Sequence, residues 1–107
     1  MIKKYNNEKI NELKGVYLLD FYADWCGPCK MLGKVLEEID NVDIIKINVD
    51  EYEELAKEYK IMSIPNMLII KDGKLEKQII GFHSKEEIEN ELESVRKQIW
   101  QNKILSL

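Results

Sequence analysis

The sequence has few of the residues that form metal sites. Its 107 residues include two cysteines and one histidine, His83. A structural zinc ion usually takes four protein ligands, so three candidate ligands are too few for such a site within one copy of the chain. One exception stays open, a zinc ion that bridges two copies. His83 has no visible partner in the sequence pattern, and we expect it to be exposed.

Long apolar runs, an excess of basic charge and a dinucleotide fingerprint are also absent. The longest apolar runs, residues 16–19 and 67–70, are too short to cross a bilayer. Acids outnumber bases by 20 to 16, which gives no reason to expect nucleic acid or a membrane surface as a partner. Without a G-x-G-x-x-G segment, the chain is not expected to bind NADPH itself. Lys3 and Lys4 precede no apolar signal segment, so we expect a cytoplasmic protein.

Length and composition predict a single globular domain over residues 1–107. Apolar residues make up 45% of the sequence and charged residues 34%, which is typical of a folded chain and not of a disordered one. The sequence contains no repeat, low-complexity tract or linker. A chain of 107 residues is long enough to form one hydrophobic core and too short for two domains.

Apolar periodicity alternates between strand and helix patterns, which predicts an α/β fold with a mixed sheet and helices on both faces. The first predicted helix is short and runs from Asn6 or Asn7 to Lys14, and the second runs from the cysteine pair to about Asp40. A third begins at a capping box at residues 50–53. A fourth begins at a capping box at residues 84–87, and its apolar stripe is Ile88, Leu92, Val95 and Ile99. The predicted strands are residues 16–23, 43–49, 66–71 and 74–80, the last two joined by an Asp72-Gly73 turn.

The two cysteines are separated by two residues, Gly27 and Pro28. A disulfide between such close residues removes little entropy from the unfolded chain, so it is a poor structural brace. The pair follows a predicted buried strand and begins a predicted helix, whose free N–H groups and dipole stabilise a thiolate. Because the thiolate is the species that attacks a disulfide, this context predicts dithiol–disulfide exchange.

Residues 20–31, DFYADWCGPCKM, resemble the active-site segment of the thioredoxin family. Residues 46–50, the pair Ile64-Pro65, residues 71–74 and Gly81 are similar to further landmarks of the family, so that the likeness covers nearly the whole chain. The resemblance implies the thioredoxin fold, which is a central mixed sheet flanked on both faces by helices. It also implies an enzyme that reduces protein disulfides.

The resemblance assigns a role to each site residue. It implies that Cys26 is the nucleophile, that Cys29 is the resolving thiol, and that Asp20 is a buried acid that assists proton transfer at Cys29. Lys46 matches the lysine that modulates this acid. Pro65 matches a cis-proline that faces the disulfide, and the backbone of Ile64 would pair with a substrate strand. The implied substrate-binding residues are Trp25, Gly27, Pro28, Ile64, Pro65, Gly81 and Phe82.

The resemblance also implies the partners of the protein. By this resemblance, the protein needs no cofactor beyond the Cys26–Cys29 disulfide. Its substrates are protein disulfides, and a separate reductase recharges it. That reductase is either a flavin-dependent NADPH enzyme or a ferredoxin-linked one. The protein is expected to be a monomer that takes part in electron transport and redox homeostasis.

Four positions depart from the family pattern. Lys34 stands where a helix-kinking proline is frequent, Asn66 follows the cis-proline where threonine is common, and Met62-Ser63 replaces a segment that usually holds glycine. The last three residues belong to the expected docking surface, where they would affect the choice of partner.

Several alternatives stay open at the level of sequence. Asp20 could face water at a strand end, Lys46 could point outward, and Pro65 could be an ordinary trans proline, since only ~5% of X–Pro bonds are cis. The protein could also be a disulfide oxidase or isomerase. A third hypothesis is a binding module that uses the surface around Trp25, Ile64 and Phe82 without any thiol chemistry.

Overall fold

Five strands form one mixed sheet in the structure, a computed structural model that describes the backbone of residues 1–105 and the side chains of residues 1–97. The strands are β1 Ile2–Lys4, β2 Val16–Tyr22, β3 Asp43–Asn48, β4 Asn66–Lys71 and β5 Lys74–Ile80. Their order across the sheet is β1-β3-β2-β4-β5. Strands β1, β3 and β2 are parallel, whereas β4 and β5 are antiparallel to their neighbours. The apolar strand β2 therefore occupies the centre.

Helices cover both faces of this sheet, which confirms the predicted architecture. They are α1 Gly27–Leu36, α2 Glu53–Glu58 and α3 Lys85–Leu105, with a short 3₁₀ turn at Ile10–Glu12. One core contains Leu18, Ile44, Met67 and Ile69 of the sheet beneath Leu32 and Leu36 of α1 and Ile88, Leu92 and Val95 of α3. The opposite core contains Leu19, Phe21, Ile45, Ile47, Leu68 and Ile70 against Ile10 and Ala56. Ile99 of the predicted stripe lies outside the residues whose side chains are described.

The hairpin and the last capping box form where they are predicted. Asp72 and Gly73 both have positive φ, 48° and 80°, as a two-residue hairpin turn requires. At the start of α3, the Ser84 N–H donates to Glu87 Oε1 and the Glu87 N–H donates to Ser84 Oγ, each at 3.2 Å. This reciprocal pair is the capping box expected from the sequence.

The helix predicted from Asn6 or Asn7 to Lys14 is wrong. Asn7 has a φ of 63°, which is left-handed, and the Asn6 N–H donates to the Glu8 carboxylate instead of starting a helix. A 3₁₀ turn of three residues is all that follows, Ile10–Glu12. Its one buried residue, Ile10, packs into the core without needing a longer helix.

Two further helix boundaries and one strand differ from expectation. Helix α1 ends at Leu36 and not near Asp40, because the N–H groups of Glu38 and Ile39 bond to carbonyls only three residues back. Helix α2 begins at Glu53 without the predicted capping box, and no side chain of the described residues caps it. Strand β1 was not predicted, since its three residues are exposed and show no alternation, but it pairs with β3 at the sheet edge.

Substitution of Gly73 tests the hairpin against a matched glycine. A Cβ at Gly73 would overlap the backbone of Asn11, whereas a Cβ at Gly15 would meet nothing within 4 Å. Both residues have positive φ. We expect Gly15→Ala to lower the free energy of unfolding by about 1–2 kcal/mol, the cost of a left-handed non-glycine residue. Gly73→Ala should cost more, above ~3 kcal/mol, because steric overlap adds to the same strain. Equal losses in denaturant melts of the two variants would contradict this.

Candidate active site

The cysteine pair forms a disulfide at the beginning of α1. Cys26 is the N-cap residue, with extended φ and ψ of −90° and 108°, and its Sγ accepts a hydrogen bond from the Cys29 N–H at 3.3 Å. Pro28 lies in the first turn, where its missing N–H leaves no helix bond unmade. The sulfur of Cys26 therefore lies at the positive end of the helix dipole, which favours its thiolate after reduction.

Both cysteine side chains are nearly buried in the disulfide form. Cys26 is 5% exposed and Cys29 is 3% exposed. They form a small cluster with Ala23, and Ile64 packs against it. In contrast, Trp25 beside them is 72% exposed. Exposure thus distinguishes the two thiols only slightly, and the stronger difference between them is the position of Cys26 at the helix cap.

Asp20 is fully buried, so the alternative in which it faces water is wrong. It lies on β2 with its side chain on the sheet face that α1 covers, because Leu18, two residues earlier, belongs to that core. Neither carboxylate oxygen has a hydrogen-bond partner among the described residues. Burial away from water raises the pKa of Asp20 to about 6, and the positive charge of Lys46 opposes that rise.

Lys46 points to the same face as Asp20, so the outward alternative is wrong. The two residues are direct neighbours across β2 and β3, and Lys46 Nζ lies 3.9 Å from Asp20 Oδ2. The ammonium also lies 4.6 Å from the centroid of the Tyr22 ring. A Cβ at Gly33 would be 3.5 Å from Nζ, so α1 has a residue without a side chain where the lysine passes. The helix continues through Lys34 to Leu36.

The Ile64–Pro65 peptide bond is cis, so the trans alternative is wrong. Pro65 precedes β4, and its carbonyl accepts a hydrogen bond from the Gly81 N–H at 2.9 Å. This bond joins the loop before β4 to the end of β5, next to the 45% exposed ring of Phe82. Because Ile64 packs against the cysteine cluster, the fold brings the loop and the disulfide together.

Asp50 is a site residue that the sequence analysis did not identify. Trp25 Nε1 donates a hydrogen bond to Asp50 Oδ2 at 2.9 Å, which fixes the exposed indole beside the disulfide. Asp50 does not cap α2, because the helix begins at Glu53 with Tyr52 at the N-cap position, two residues after Asp50. A signal did exist: the two residues follow β2 and β3, and adjacent parallel strands end at the same edge of a sheet.

The expectation that His83 is exposed and without a partner is wrong. The residue is half-buried, its Nδ1 lies 3.1 Å from Glu87 Oε2 and its Nε2 lies 2.9 Å from the Ile80 carbonyl oxygen. Both neighbours are acceptors, so the arrangement favours a ring that is protonated on both nitrogens. The hydrogen bond to Glu87 first, and then the bond to Ile80, raise the pKa of His83.

Neither a metal-ligand cluster nor a membrane-spanning helix is present among the described residues. They contain no group of three or more His, Cys, Asp or Glu side chains that could hold a metal ion. Among them, no helix has the length and apolar character needed to cross a membrane.

Comparison with known proteins gives one consistent family. Residues 2–94 match the family model described as Thioredoxin. The sequence is 48% identical over 81 residues to thioredoxin from Bacillus subtilis, covering 71% of this chain and 78% of that protein. It is 46% identical over 79 residues to thioredoxin from Staphylococcus aureus, covering 69% and 76%. A mutant thioredoxin from Halobacterium salinarum is similar in structure, with a TM-score of 0.79, 31% identity, and coverage of 87% and 88%.

The pKa of Asp20 predicts how stability depends on pH. A raised carboxyl pKa means that the folded state holds the proton more tightly than the unfolded state does. The contribution of protonated Asp20 to the free energy of unfolding is therefore complete below the unfolded pKa of 3.8. It is lost as the pH rises towards the folded pKa of about 6. Asparagine does not titrate, so Asp20→Asn does not lose this contribution. The free energy of unfolding of Asp20→Asn minus that of the parent should therefore rise by about 1–3 kcal/mol between pH 4 and pH 7.

Denaturant melts of the oxidised protein at several pH values measure this difference. Asp24→Asn is the matched control, because it makes the same change of side chain at an exposed position. If the stability difference between Asp20→Asn and the parent did not change with pH, Asp20 would not be an acid whose charged form is disfavoured by burial.

Proposed function

Since this chain belongs to the thioredoxin family, and is a protein-disulfide oxidoreductase with its redox chemistry at Cys26 and Cys29, we propose that Cys26 attacks the target and Cys29 resolves the mixed disulfide. The observation that carries this order is the position of Cys26 at the N-cap of α1, where its sulfur accepts the Cys29 N–H. A thiolate is stabilised there by the same hydrogen bond and by the helix dipole.

The reaction transfers two electrons from the dithiol to the target. The Cys26 thiolate bonds to one sulfur of the target disulfide, and the other target sulfur leaves as a thiolate. Cys29 then loses its proton and attacks the Cys26 sulfur, which breaks the mixed disulfide and releases the second target thiolate. The chain ends as the Cys26–Cys29 disulfide, the form seen in the structure. A separate reductase returns two electrons and two protons.

We assign the removal of the Cys29 proton to Asp20. With a pKa of about 6, its carboxyl group is mostly ionised at neutral pH yet is a better base than an exposed carboxylate. Its two oxygens lack hydrogen-bond partners among the described residues, so they are available to a proton. Lys46, 3.9 Å away, modulates Asp20 because its positive charge favours the ionised form.

We assign substrate binding to the surface that surrounds the disulfide. Trp25, Gly27, Pro28 and Phe82 are exposed on it. The backbone N–H and C=O of Ile64 form no hydrogen bond with another described residue, so both are free to pair with an extended target segment. Pro65 and Gly81, joined by their own hydrogen bond, form the support behind Ile64.

The remaining assignments concern the setting of the reaction. We place the protein in the cytoplasm, where thiols are kept reduced, as a monomer made of one domain over residues 1–107. Its electron donor is a flavin-dependent NADPH reductase or a ferredoxin-linked reductase. The continuous sheet from β1 to β5 and the helices packed on its two faces support a single domain.

Trapping of target proteins tests the order of the two thiols. Cys29→Ser should leave the mixed disulfide on Cys26 unresolved, so that target proteins accumulate as covalent complexes that a reductant releases. Cys26→Ser is the matched control and should trap little, because the remaining thiol lies deeper in the helix. Non-reducing electrophoresis and peptide mapping identify the linked cysteine. Complexes that form mainly through Cys29 would reverse the assignment.

Single-turnover kinetics test the role of Asp20. In Asp20→Asn, the attack of Cys26 should keep its rate, whereas resolution by Cys29 should slow by about 10²-fold at pH 7, the lower end of the range for a general base. Raising the pH should speed resolution in this variant, because hydroxide can then take the proton that Asp20 would remove. Equal slowing of both steps, or resolution that stays slow at high pH, would rule out the proposed role.

A further inference from the structure

Asn66 is a buried polar residue whose two side-chain hydrogen bonds connect the loop that contains Ile64 and Pro65 to the neighbouring strand β5. It is 1% exposed, and among the described residues Asp20 is the one other polar or charged residue in the fully buried class. Asp20 lacks hydrogen-bond partners, whereas both polar atoms of the Asn66 amide have one. An amide buried in this way is stable only if its partners are held in place.

One side-chain bond of Asn66 goes to the loop before β4 and the other goes to strand β5. Its Nδ2 donates to the Ser63 carbonyl oxygen at 3.3 Å, across the cis Ile64–Pro65 bond. Its Oδ1 accepts from Gln78 Nε2, on strand β5, at 3.2 Å. One side chain therefore ties the beginning of the loop to the neighbouring strand. The loop around Ile64 is fixed by these bonds and by the Pro65 carbonyl bond to Gly81.

The backbone position of Asn66 places this tie next to the disulfide. Asn66 is the first residue of β4, where it pairs with Phe21 of β2 on one side and with Ile80 of β5 on the other. Phe21 lies five residues before Cys26 in the chain, and Ile64 packs directly on the cysteine cluster. A movement of the Ser63–Pro65 segment would thus change the position of the Ile64 backbone relative to the reacting sulfurs.

We infer that Asn66, acting with Gln78, is a positioning residue that presents the Ile64 backbone to protein substrates and so sets the preference for extended polypeptide disulfides over small ones. This inference rests on the proposed pairing of a target segment with Ile64. A small disulfide reaches Cys26 without using that pairing, so its reaction does not depend on the exact position of the loop. A polypeptide disulfide needs both access to Cys26 and pairing with the Ile64 backbone.

Gln78→Ala gives a clean test, because Gln78 is exposed and its removal does not threaten folding. Glu76→Ala, an exposed residue of the same strand that forms no hydrogen bond with another described side chain, is the matched control. Asn66→Val removes both side-chain hydrogen bonds while keeping a strand-forming residue of similar size. Melting temperatures are measured first, to show that each variant is folded.

Two readouts separate the inference from the proposed function on which it rests. Amide hydrogen exchange at Gly81, whose N–H donates to the Pro65 carbonyl oxygen, is measured without substrate and reports whether the loop is held. Second-order rate constants of the reduced protein with insulin and with the small aromatic disulfide 5,5′-dithiobis(2-nitrobenzoate) report on the preference. In Gln78→Ala we expect faster exchange and an insulin rate that is lower by about three- to tenfold, the range that one hydrogen bond supplies, with an unchanged rate for the small disulfide. Asn66→Val should show the same pattern more strongly.

Unchanged exchange in Gln78→Ala would overturn the inference and leave the proposed function intact. Faster exchange with equal slowing of both substrates, or of neither, would also overturn it, because the tie would then be structural alone. If the parent protein reduced insulin no faster than its own Cys26→Ser variant, the proposed function itself would fail.

Discussion

Strand β2 is hydrogen-bonded along both edges, and the positions of all the site residues follow from its register. It pairs in parallel with β3, which sets Asp20 opposite Lys46, and it pairs antiparallel with β4, which sets Phe21 opposite Asn66. The chain leaves β2 at Tyr22 and reaches the N-cap of α1 at Cys26. A slip of one residue in either pairing would turn the side chains to the other face of the sheet. The register thus places acid, lysine and loop around the disulfide together.

Asp20 is the residue of the central strand whose burial lowers stability, and it is also the residue suited to proton transfer. Leu18, Leu19 and Phe21 are buried in apolar surroundings on the two faces of β2, and Asp20 is buried among them without a hydrogen bond from a described residue. Lys46 offsets this cost incompletely, because 3.9 Å is too long for a hydrogen bond. The same burial that weakens the fold raises the pKa of the acid towards neutrality.

Two features that depend on neighbouring residues were predicted correctly, whereas two that depend on distant partners were missed. The Asp72-Gly73 turn and the Ser84–Glu87 capping box depend on residues within three positions of each other. Asp50 has the spacing of a capping residue too, but its carboxylate binds the indole of Trp25, 25 positions away. Similarly, β1 consists of exposed residues that form a strand because the edge of β3 is available to them.

The sequence by itself determined the family, the order of most elements and the chemistry at Cys26 and Cys29. These follow from short segments that can be interpreted without knowing their neighbours in space, such as a cysteine pair between an apolar strand and a helix. The tertiary structure alone decided which groups meet. Lys46 faces Asp20 and Tyr22, Trp25 binds Asp50, and Asn66 joins Ser63 to Gln78. These contacts depend on sheet register and on side-chain direction. Both are set by the packing of whole strands and helices, which no local pattern specifies.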